Sequence, residues 1–206
     1  MTKTETKDWT GGGDSIWKTL GASNHTAEER ELNDYYATDP VAIDKLLAAE
    51  QPPRNVWECA AGGGHLARRL REKGYNVLGT DIIQRGGVDL IVDFLKCESL
   101  PLDGCCILTN PPYKYAKDFV LKALELLPVG GRCYMFLKLT FLEGKARFGE
   151  IFSRQPPRKV LVFSERVLCA KNAEFERMRE GGGSAVAYAW FVWEKGHTGD
   201  TVVQWI

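Results

Sequence analysis

The sequence lacks the features that mark several specialised classes of protein. Its six cysteines form no Cys-x-x-Cys pair and no Cys/His group at zinc-ligand spacing, so no metal site is predicted. Several of these cysteines lie inside apolar runs, which is typical of buried thiols in a reducing compartment. No stretch approaches the roughly 18 apolar residues of a membrane span, and no basic-then-apolar leader opens the chain. We therefore expect a cytoplasmic protein without membrane contact.

An excess of one charge is also missing from the chain as a whole. Lys and Arg number 27, as do Asp and Glu, so no bulk field would gather polyanions. Between Arg132 and Arg179, however, eleven basic residues stand against five acidic ones. This local excess indicates either an ordinary solvated surface or a face that contacts a phosphate backbone.

The chain divides into a polar arm and one domain. Residues 1–37 contain Gly11-Gly12-Gly13 and few apolar side chains, so we expect an N-terminal arm that is either a loose tail or a lid. Residues 38–206 are numerous enough for a single α/β domain with a sizeable core.

Apolar runs typical of buried strands alternate with helical patterns throughout that domain. We predict strands over 55–58, 76–81, 88–92, 105–109, 132–139 and 159–163, and helices over 40–50, 65–73, 115–127 and 144–152. This alternation predicts a Rossmann-like α/β fold with a mostly parallel sheet and helices on both faces. The run 185–194 follows a Gly-Gly-Gly connection too short for a crossover helix, which predicts an antiparallel final strand.

A glycine-rich loop follows the first of these strands. Glu58 is succeeded by Cys59-Ala60-Ala61-Gly62-Gly63-Gly64 and then by a helix, an arrangement in which the backbone can approach a ligand closely. The loop is neither Gly-x-Gly-x-x-Gly nor a Walker motif, so dinucleotides and nucleoside triphosphates are not favoured. Asp81 ends the next strand, where a carboxylate either accepts hydrogen bonds from both ribose hydroxyls or stabilises a turn.

Asn110-Pro111-Pro112-Tyr113 is the most specific motif in the sequence. It follows the apolar run 105–109, and its two prolines stiffen the loop and remove backbone donors. The Asn110 side-chain oxygen and the Pro111 carbonyl are placed to accept both N–H groups of an exocyclic amine. Tyr113 would then stack on the base. The alternative interpretation is a rigid turn that carries an exposed aromatic residue.

Together these motifs resemble class I S-adenosylmethionine-dependent amino-methyltransferases. The loop from Glu58 to Gly64 resembles their cofactor loop, Asp81 their ribose acid, and Asn110-Pro111-Pro112-Tyr113 the catalytic tetrad of N6-adenine DNA methyltransferases. Tyr35-Tyr36-Ala37-Thr38-Asp39-Pro40 is similar to the segment that closes over the methionine part of the cofactor. The resemblance extends from about Gly21 to Leu139 and is strongest to small phage- and prophage-encoded adenine methyltransferases.

The resemblance implies S-adenosyl-L-methionine as cofactor and a role for each motif residue. The implied cofactor-binding residues are Tyr36, Thr38, Glu58, Cys59, Ala60, Gly62, Asp81, Ile82, Asp93, Phe94 and Asn110. The implied catalytic residues are Asn110, Pro111, Pro112 and Tyr113, and the candidate nucleic-acid contacts are Tyr113, Lys114, Lys145 and Arg147. The expected reaction is direct methyl transfer to adenine N6 in DNA, without a covalent enzyme intermediate.

Three alternatives to DNA adenine methylation follow from the same sequence. The motif also suits an acceptor amine on an RNA base or on a protein glutamine, and the chain could instead be a catalytically idle nucleic-acid-binding subunit. No segment large enough for a separate target-recognition domain is present, so sequence specificity is expected to come from basic loops of the last third or from a partner.

Overall fold

The computed structural model describes residues 36–171, 175–180 and 186–206. Most of the predicted N-terminal arm, including Tyr35, therefore lies outside the described residues. Its last two residues, Tyr36 and Ala37, belong to a short strand. In the described part, no helix is long and apolar enough to cross a membrane.

After a first strand that was not predicted, the first half of the described chain alternates strands and helices as predicted, and no boundary is shifted by more than two residues. Its elements are β1 (Tyr36–Thr38), α1 (Val41–Ala49), β2 (Asn55–Glu58), α2 (His65–Glu72), β3 (Asn76–Asp81), β4 (Leu90–Ile91), β5 (Cys106–Thr109) and α3 (Ala116–Leu126). The Asp39 carboxylate accepts a hydrogen bond from the Val41 N–H at 3.1 Å, which satisfies a donor at the start of α1. Gly74, with φ of 85°, follows the end of α2 as the sequence predicts.

The second half contains elements that the pattern did not reveal. It comprises β6 (Arg132–Lys138), α4 (Lys145–Arg147), β7 (Lys159–Val162), β8 (Cys169–Lys171), α5 (Phe175–Glu180), β9 (Tyr188–Glu194) and β10 (Val202–Trp205). The predicted helix over 144–152 is only partly α-helical: after α4 the chain forms a π-helix, Phe148–Phe152. There the Ser153 N–H donates to the Phe148 carbonyl at 2.9 Å, five residues back.

The main sheet has eight strands in the order β10-β7-β9-β6-β5-β2-β3-β4. The predicted antiparallel strand is confirmed: β9 lies between β6 and β7 and runs antiparallel to both, while the other pairings are parallel. The chain then continues into β10, an unpredicted strand that adds to β7 at the sheet edge. Because β2, β3 and β5 are parallel, Glu58, Asp81 and Asn110 come to the same edge of the sheet.

Both faces of the sheet are covered, which explains why its strands are almost continuously apolar. Alternate residues of β6 enter different clusters: Met135 packs with α3 on one face, and Phe136 packs with α1 and α2 on the other. Trp190 and Trp193 of β9 divide in the same way and are fully buried. Each such side chain contributes about 1.5–3 kcal/mol by leaving water.

A separate two-stranded ribbon is formed by β1 and β8. These strands are antiparallel, and Thr38 lies directly opposite Cys169. The ribbon joins residues 131 positions apart in the sequence (from 38 to 169), so local patterning could not predict it. It brings both strands to the tetrad, because Tyr36, Thr38 and Cys169 contact Asn110.

Candidate active site

A cavity of about 340 Å³ opens at the carboxyl edge of the sheet, beside the ends of β2, β3 and β5. This volume lies within the range of roughly 300–1,000 Å³ that is common for small-molecule sites. Residues of the glycine loop, Asp81, the 92–95 segment, the tetrad and β1 all line it. The two groups that the sequence analysis singled out, Asp81 and the Pro-Pro turn, therefore border one cavity.

The glycine loop has its shape because a second loop presses against it. A Cβ on Gly87 would lie 2.2 Å from the Gly63 carbonyl carbon, and a Cβ on Gly64 would lie 2.8 Å from the Gly87 oxygen. Gly64 also has φ of 74°, which residues with side chains rarely adopt. Glycine at these positions thus permits two backbones to touch beside the cavity.

Asp81 is buried and is held by three donors. Its carboxylate accepts hydrogen bonds from the Gly62 N–H at 2.8 Å, the Ile83 N–H at 3.0 Å and Arg85 Nη1 at 3.1 Å. Gly62 does not line the cavity itself. Its contribution is to hold Asp81, which leaves a fixed carboxylate at the cavity wall.

Glu58 and His65 bring further polar atoms to the same cavity. Glu58 is 2% exposed, and burial raises the pKa of its carboxyl group well above the ordinary value, although a hydrogen bond from the Ala67 backbone opposes this effect. Burial disfavours the charged form of His65 as well, which for a histidine lowers the pKa, so its imidazole is neutral at pH 7. Glu58 Oε2 and His65 Nδ1 are buried and have no hydrogen-bond partner within the described part of the chain.

The nitrogen of the Asn110 amide is hydrogen-bonded within the described part of the chain, and its oxygen is not. Its Nδ2 group donates to Thr38 Oγ1 at 2.9 Å, to the Tyr36 carbonyl at 3.2 Å and to Cys169 Sγ at 3.4 Å. Its Oδ1 atom is buried without a partner among the described residues, in a side chain that lines the cavity. Such an acceptor is costly to bury unless a donor arrives. The arrangement suits a ligand that presents an N–H group.

Tyr113 sits in a cluster of aromatic side chains. Its ring stacks against Tyr36 at 5.8 Å and against Tyr188 at 6.1 Å between centroids, and Lys138 Nζ lies 4.4 Å from its centre. Its hydroxyl donates to Tyr188 Oη at 3.1 Å and lies 2.9 Å from Cys169 Sγ. Burial raises the pKa of the Tyr113 hydroxyl, which stays protonated.

The structure gathers most of the predicted site residues around one cavity. Those that line it are Tyr36, Thr38, Glu58, Cys59, Ala60, Asp81, Ile82, Asp93, Phe94, Asn110, Pro111, Pro112 and Tyr113. Lys114, Lys145 and Arg147 do not line it. Lys114 and Lys145 are exposed, as a contact to a polyanion requires.

Four cations of the basic stretch form hydrogen bonds or ion pairs within the protein. Arg147 donates to the carbonyls of Phe141, Thr140 and Glu143, so its guanidinium stabilises the turn before α4. Three further cations form ion pairs with buried or half-buried glutamates: Arg132 with Glu194, and Arg158 and Lys159 with Glu50. The local excess of positive charge is therefore smaller at the surface than in the sequence.

Four of the residues that sequence reasoning missed bring polar groups to the cavity or to the tetrad. His65, which we interpreted only as a helix start, and Arg85 line the cavity, while Cys169 and Tyr188 bind the tetrad from behind. The spacing of Arg85 four residues after Asp81 is a weak local indication of their ion pair. Cys169 and Tyr188 approach Asn110 and Tyr113 only through the tertiary fold, and no local motif marks them.

Comparison with solved structures places this architecture among known folds. The structure superposes on two proteins described as predicted methyltransferases. One is an O-methyltransferase from Agrobacterium tumefaciens (TM-score 0.51, 12% identity, with 81% of this chain and 84% of that one covered). The other is an RNA methyltransferase from Pyrococcus horikoshii (TM-score 0.52, 17% identity, 75% and 83%). The chain has the class I methyltransferase fold. The predicted fold class is thereby confirmed.

The same fold occurs in the M protein of the type I restriction enzyme EcoKI, with a TM-score of 0.50, 15% identity and coverage of 82% of this chain. The chain spans 45% of that protein, and 62% of a Listeria monocytogenes protein described as a predicted class I S-adenosylmethionine-dependent methyltransferase. No protein-family model and no curated protein sequence matches the chain. At these identities the likeness concerns the fold, and the acceptor has to be argued from the site.

Proposed function

We propose that the protein is an S-adenosyl-L-methionine-dependent methyltransferase that methylates the exocyclic N6 amine of adenine in DNA. The observation that carries the proposal is the unpartnered Asn110 Oδ1, a buried acceptor at the wall of the cavity that Asp81 also borders. An amine donor satisfies this oxygen, whereas a keto oxygen in the same place leaves two acceptors facing each other.

The residues around the cavity fit the cofactor. Asp81 offers a fixed carboxylate for two ribose hydroxyls, and Asp93 with Phe94 flanks the place for the adenine ring. Glu58 Oε2 and His65 Nδ1 are buried without a partner among the described residues and would be available to hold the cofactor's remaining polar groups, including its amino acid end. When bound, the cofactor supplies a methyl group that is already activated on a sulfonium.

Asn110 and Pro111 present the acceptor. The Asn110 oxygen accepts one N–H of the amine and the Pro111 carbonyl accepts the other, which directs the nitrogen lone pair toward the methyl carbon. With the cofactor bound, the amine nitrogen would take the methyl group from the sulfonium, and the sulfur would keep the electron pair of the broken carbon–sulfur bond. Because an amide is not basic, Asn110 does not take the amine's surplus proton, which passes to water. Orientation is the protein's main contribution.

A base in duplex DNA must leave its stack to reach Asn110, at a cost of about a few kcal/mol. Stacking on an aromatic ring returns about 1–3 kcal/mol of this cost. Tyr113 already stacks on Tyr36, so a base that stacks on Tyr113 takes the place of the Tyr36 ring. Lys114 and Tyr115 are exposed directly after the tetrad, and we assign Lys114 a backbone phosphate contact.

The test is methyl transfer from tritiated cofactor to DNA, RNA and protein substrates, each offered alone. We expect label in DNA that digests to N6-methyladenine. Label in an RNA base or in protein glutamine would overturn the choice of acceptor and favour the corresponding alternative. Cofactor binding without transfer to any of the three would instead favour a catalytically idle subunit.

A further inference from the structure

The β1–β8 ribbon is hydrogen-bonded directly to the Asn110 side chain. Thr38 and Cys169 are Cα partners across the two strands, and both side chains reach the same Asn110 nitrogen. Thr38 is 3% exposed and Cys169 is 4% exposed, so water does not compete for these bonds. One cross-strand pair thus bonds a single amide group from two sides.

The Tyr36 carbonyl of the ribbon decides which end of the amide faces the cavity, because the Thr38 hydroxyl and the Cys169 thiol can donate as well as accept. Thr38 and Cys169 then fasten the amide in that orientation. With the amide turned over, Asn110 Oδ1 would lie beside the Tyr36 carbonyl, and both atoms are acceptors. The amide nitrogen would then point into the cavity, where it and an incoming amine would both be hydrogen-bond donors and could not bond to each other. The ribbon therefore selects the orientation in which the oxygen is available to an acceptor amine.

Cys169 also connects Asn110 to the other side chain of the tetrad. Its sulfur lies 2.9 Å from the Tyr113 hydroxyl, which in turn donates to Tyr188. Two acceptors lie within reach of the thiol hydrogen, the Tyr113 hydroxyl oxygen at 2.9 Å and the Tyr36 carbonyl at 3.8 Å, and the sulfur accepts from Asn110 in either case. Burial raises the pKa of the thiol, so this hydrogen stays in place at neutral pH.

We propose that Thr38 and Cys169 are positioning residues that hold the Asn110 amide with its oxygen toward the acceptor. The consequence for turnover rests on the proposed function, whereas the orientation of the amide does not. The two parts are therefore tested separately.

The orientation is tested in cofactor-free ¹⁵N-labelled protein. The Asn110 side-chain NH₂ resonance is assigned by its loss in Asn110→Ala, and its hydrogen exchange with solvent is measured. Thr38→Val and Cys169→Ala are each expected to accelerate this exchange about tenfold, because each removes one acceptor. Cys133→Ala removes an equally buried thiol from the opposite end of the sheet and is expected to leave the rate unchanged. Equal rates in all variants would overturn the proposal.

Turnover is tested with Cys169 variants, because Cys169 does not line the cavity. Cys169→Ala is expected to lower kcat about tenfold with the cofactor Kd unchanged, and Cys169→Ser to restore most of kcat because a hydroxyl can make the same bonds. A fall in kcat matched by Cys133→Ala, or no fall at all, would contradict a positioning role. A wild-type protein that methylates no acceptor refutes the proposed function, while the exchange experiment still decides the orientation.

Discussion

The contact between Gly87 and the glycine loop yields a prediction that can be worked out from distances. A Cβ on Gly87 would lie 2.2 Å from the Gly63 carbonyl carbon, 2.3 Å from the Gly63 oxygen and 2.4 Å from the Gly64 nitrogen. All three are backbone atoms, so no side-chain rotation relieves the clash. The two loops must separate by about 1 Å to restore ordinary carbon–carbon contact.

Gly87→Ala should therefore destabilise the fold by about 1–3 kcal/mol through overpacking. A gain of about 0.4–1 kcal/mol from the stiffer unfolded chain offsets part of this loss. For a chain of this size, a net loss of about 1–2 kcal/mol corresponds to a fall in Tm of about 2–8 °C. The same displacement moves Gly62, which holds Asp81, so we also expect cofactor affinity to fall about tenfold.

Thermal unfolding and calorimetric titration of cofactor measure the two effects. Gly149→Ala is the matched control, because a Cβ there meets nothing within 4 Å and its φ is not in the left-handed region. If Gly87→Ala matches Gly149→Ala in both Tm and cofactor affinity, the interlocked loops are not what shapes the site, and the reasoning is refuted.

Further predictions concern other charged groups of the site. Burial raises the pKa of Glu58 above its ordinary 4.5, so its stabilising protonated form is lost from the folded chain as pH rises through the folded pKa. The free energy of unfolding of wild type should therefore fall relative to that of Glu58→Gln as pH rises above 4.5, which urea unfolding at a series of pH values measures. A difference between the two proteins that does not change with pH would contradict this. Asp81→Asn should weaken cofactor binding by roughly tenfold or more in calorimetry, because hydrogen bonds to a charged acceptor are the stronger ones; unchanged affinity would remove Asp81 from the cofactor site. Lys114→Ala should lower the slope of log binding constant against log salt concentration by about one, which corresponds to the loss of one phosphate contact and is measured by fluorescence anisotropy. Lys73→Ala, at the far end of α2, is its control, and equal slopes for the two would exclude the contact.

The strands and helices that carry the site were predictable because each has a local cause. The continuous apolar runs of β5 and β6 reflect burial on both faces, and the glycines and Pro-Pro turn mark the ends of strands. Those ends meet at one edge simply because the strands are parallel. The presence of Asp81 and Asn110 at one cavity therefore followed from the topology.

The rest of the site depends on contacts between distant parts of the chain. The three residues of β8 are too few to show a period, and β8 pairs with β1, a strand more than 130 residues earlier in the sequence. Cys169 carries no sequence mark that separates it from the other buried thiols of the chain. The short edge strand β10 has exposed side chains on both faces, so the alternation that identifies other strands is absent.

The central claim is that Asn110 contributes to methyl transfer by presenting the acceptor amine, and that cofactor affinity does not depend on any contact it also makes with the cofactor. The most direct measurement compares wild type with Asn110→Ala in two assays, calorimetric binding of S-adenosyl-L-methionine and transfer of labelled methyl to adenine in DNA. The account predicts that the variant keeps its cofactor Kd within about twofold while transfer falls at least about a hundredfold. Transfer that persists in the variant, or a loss of transfer that follows from a matching loss of cofactor affinity, would contradict it.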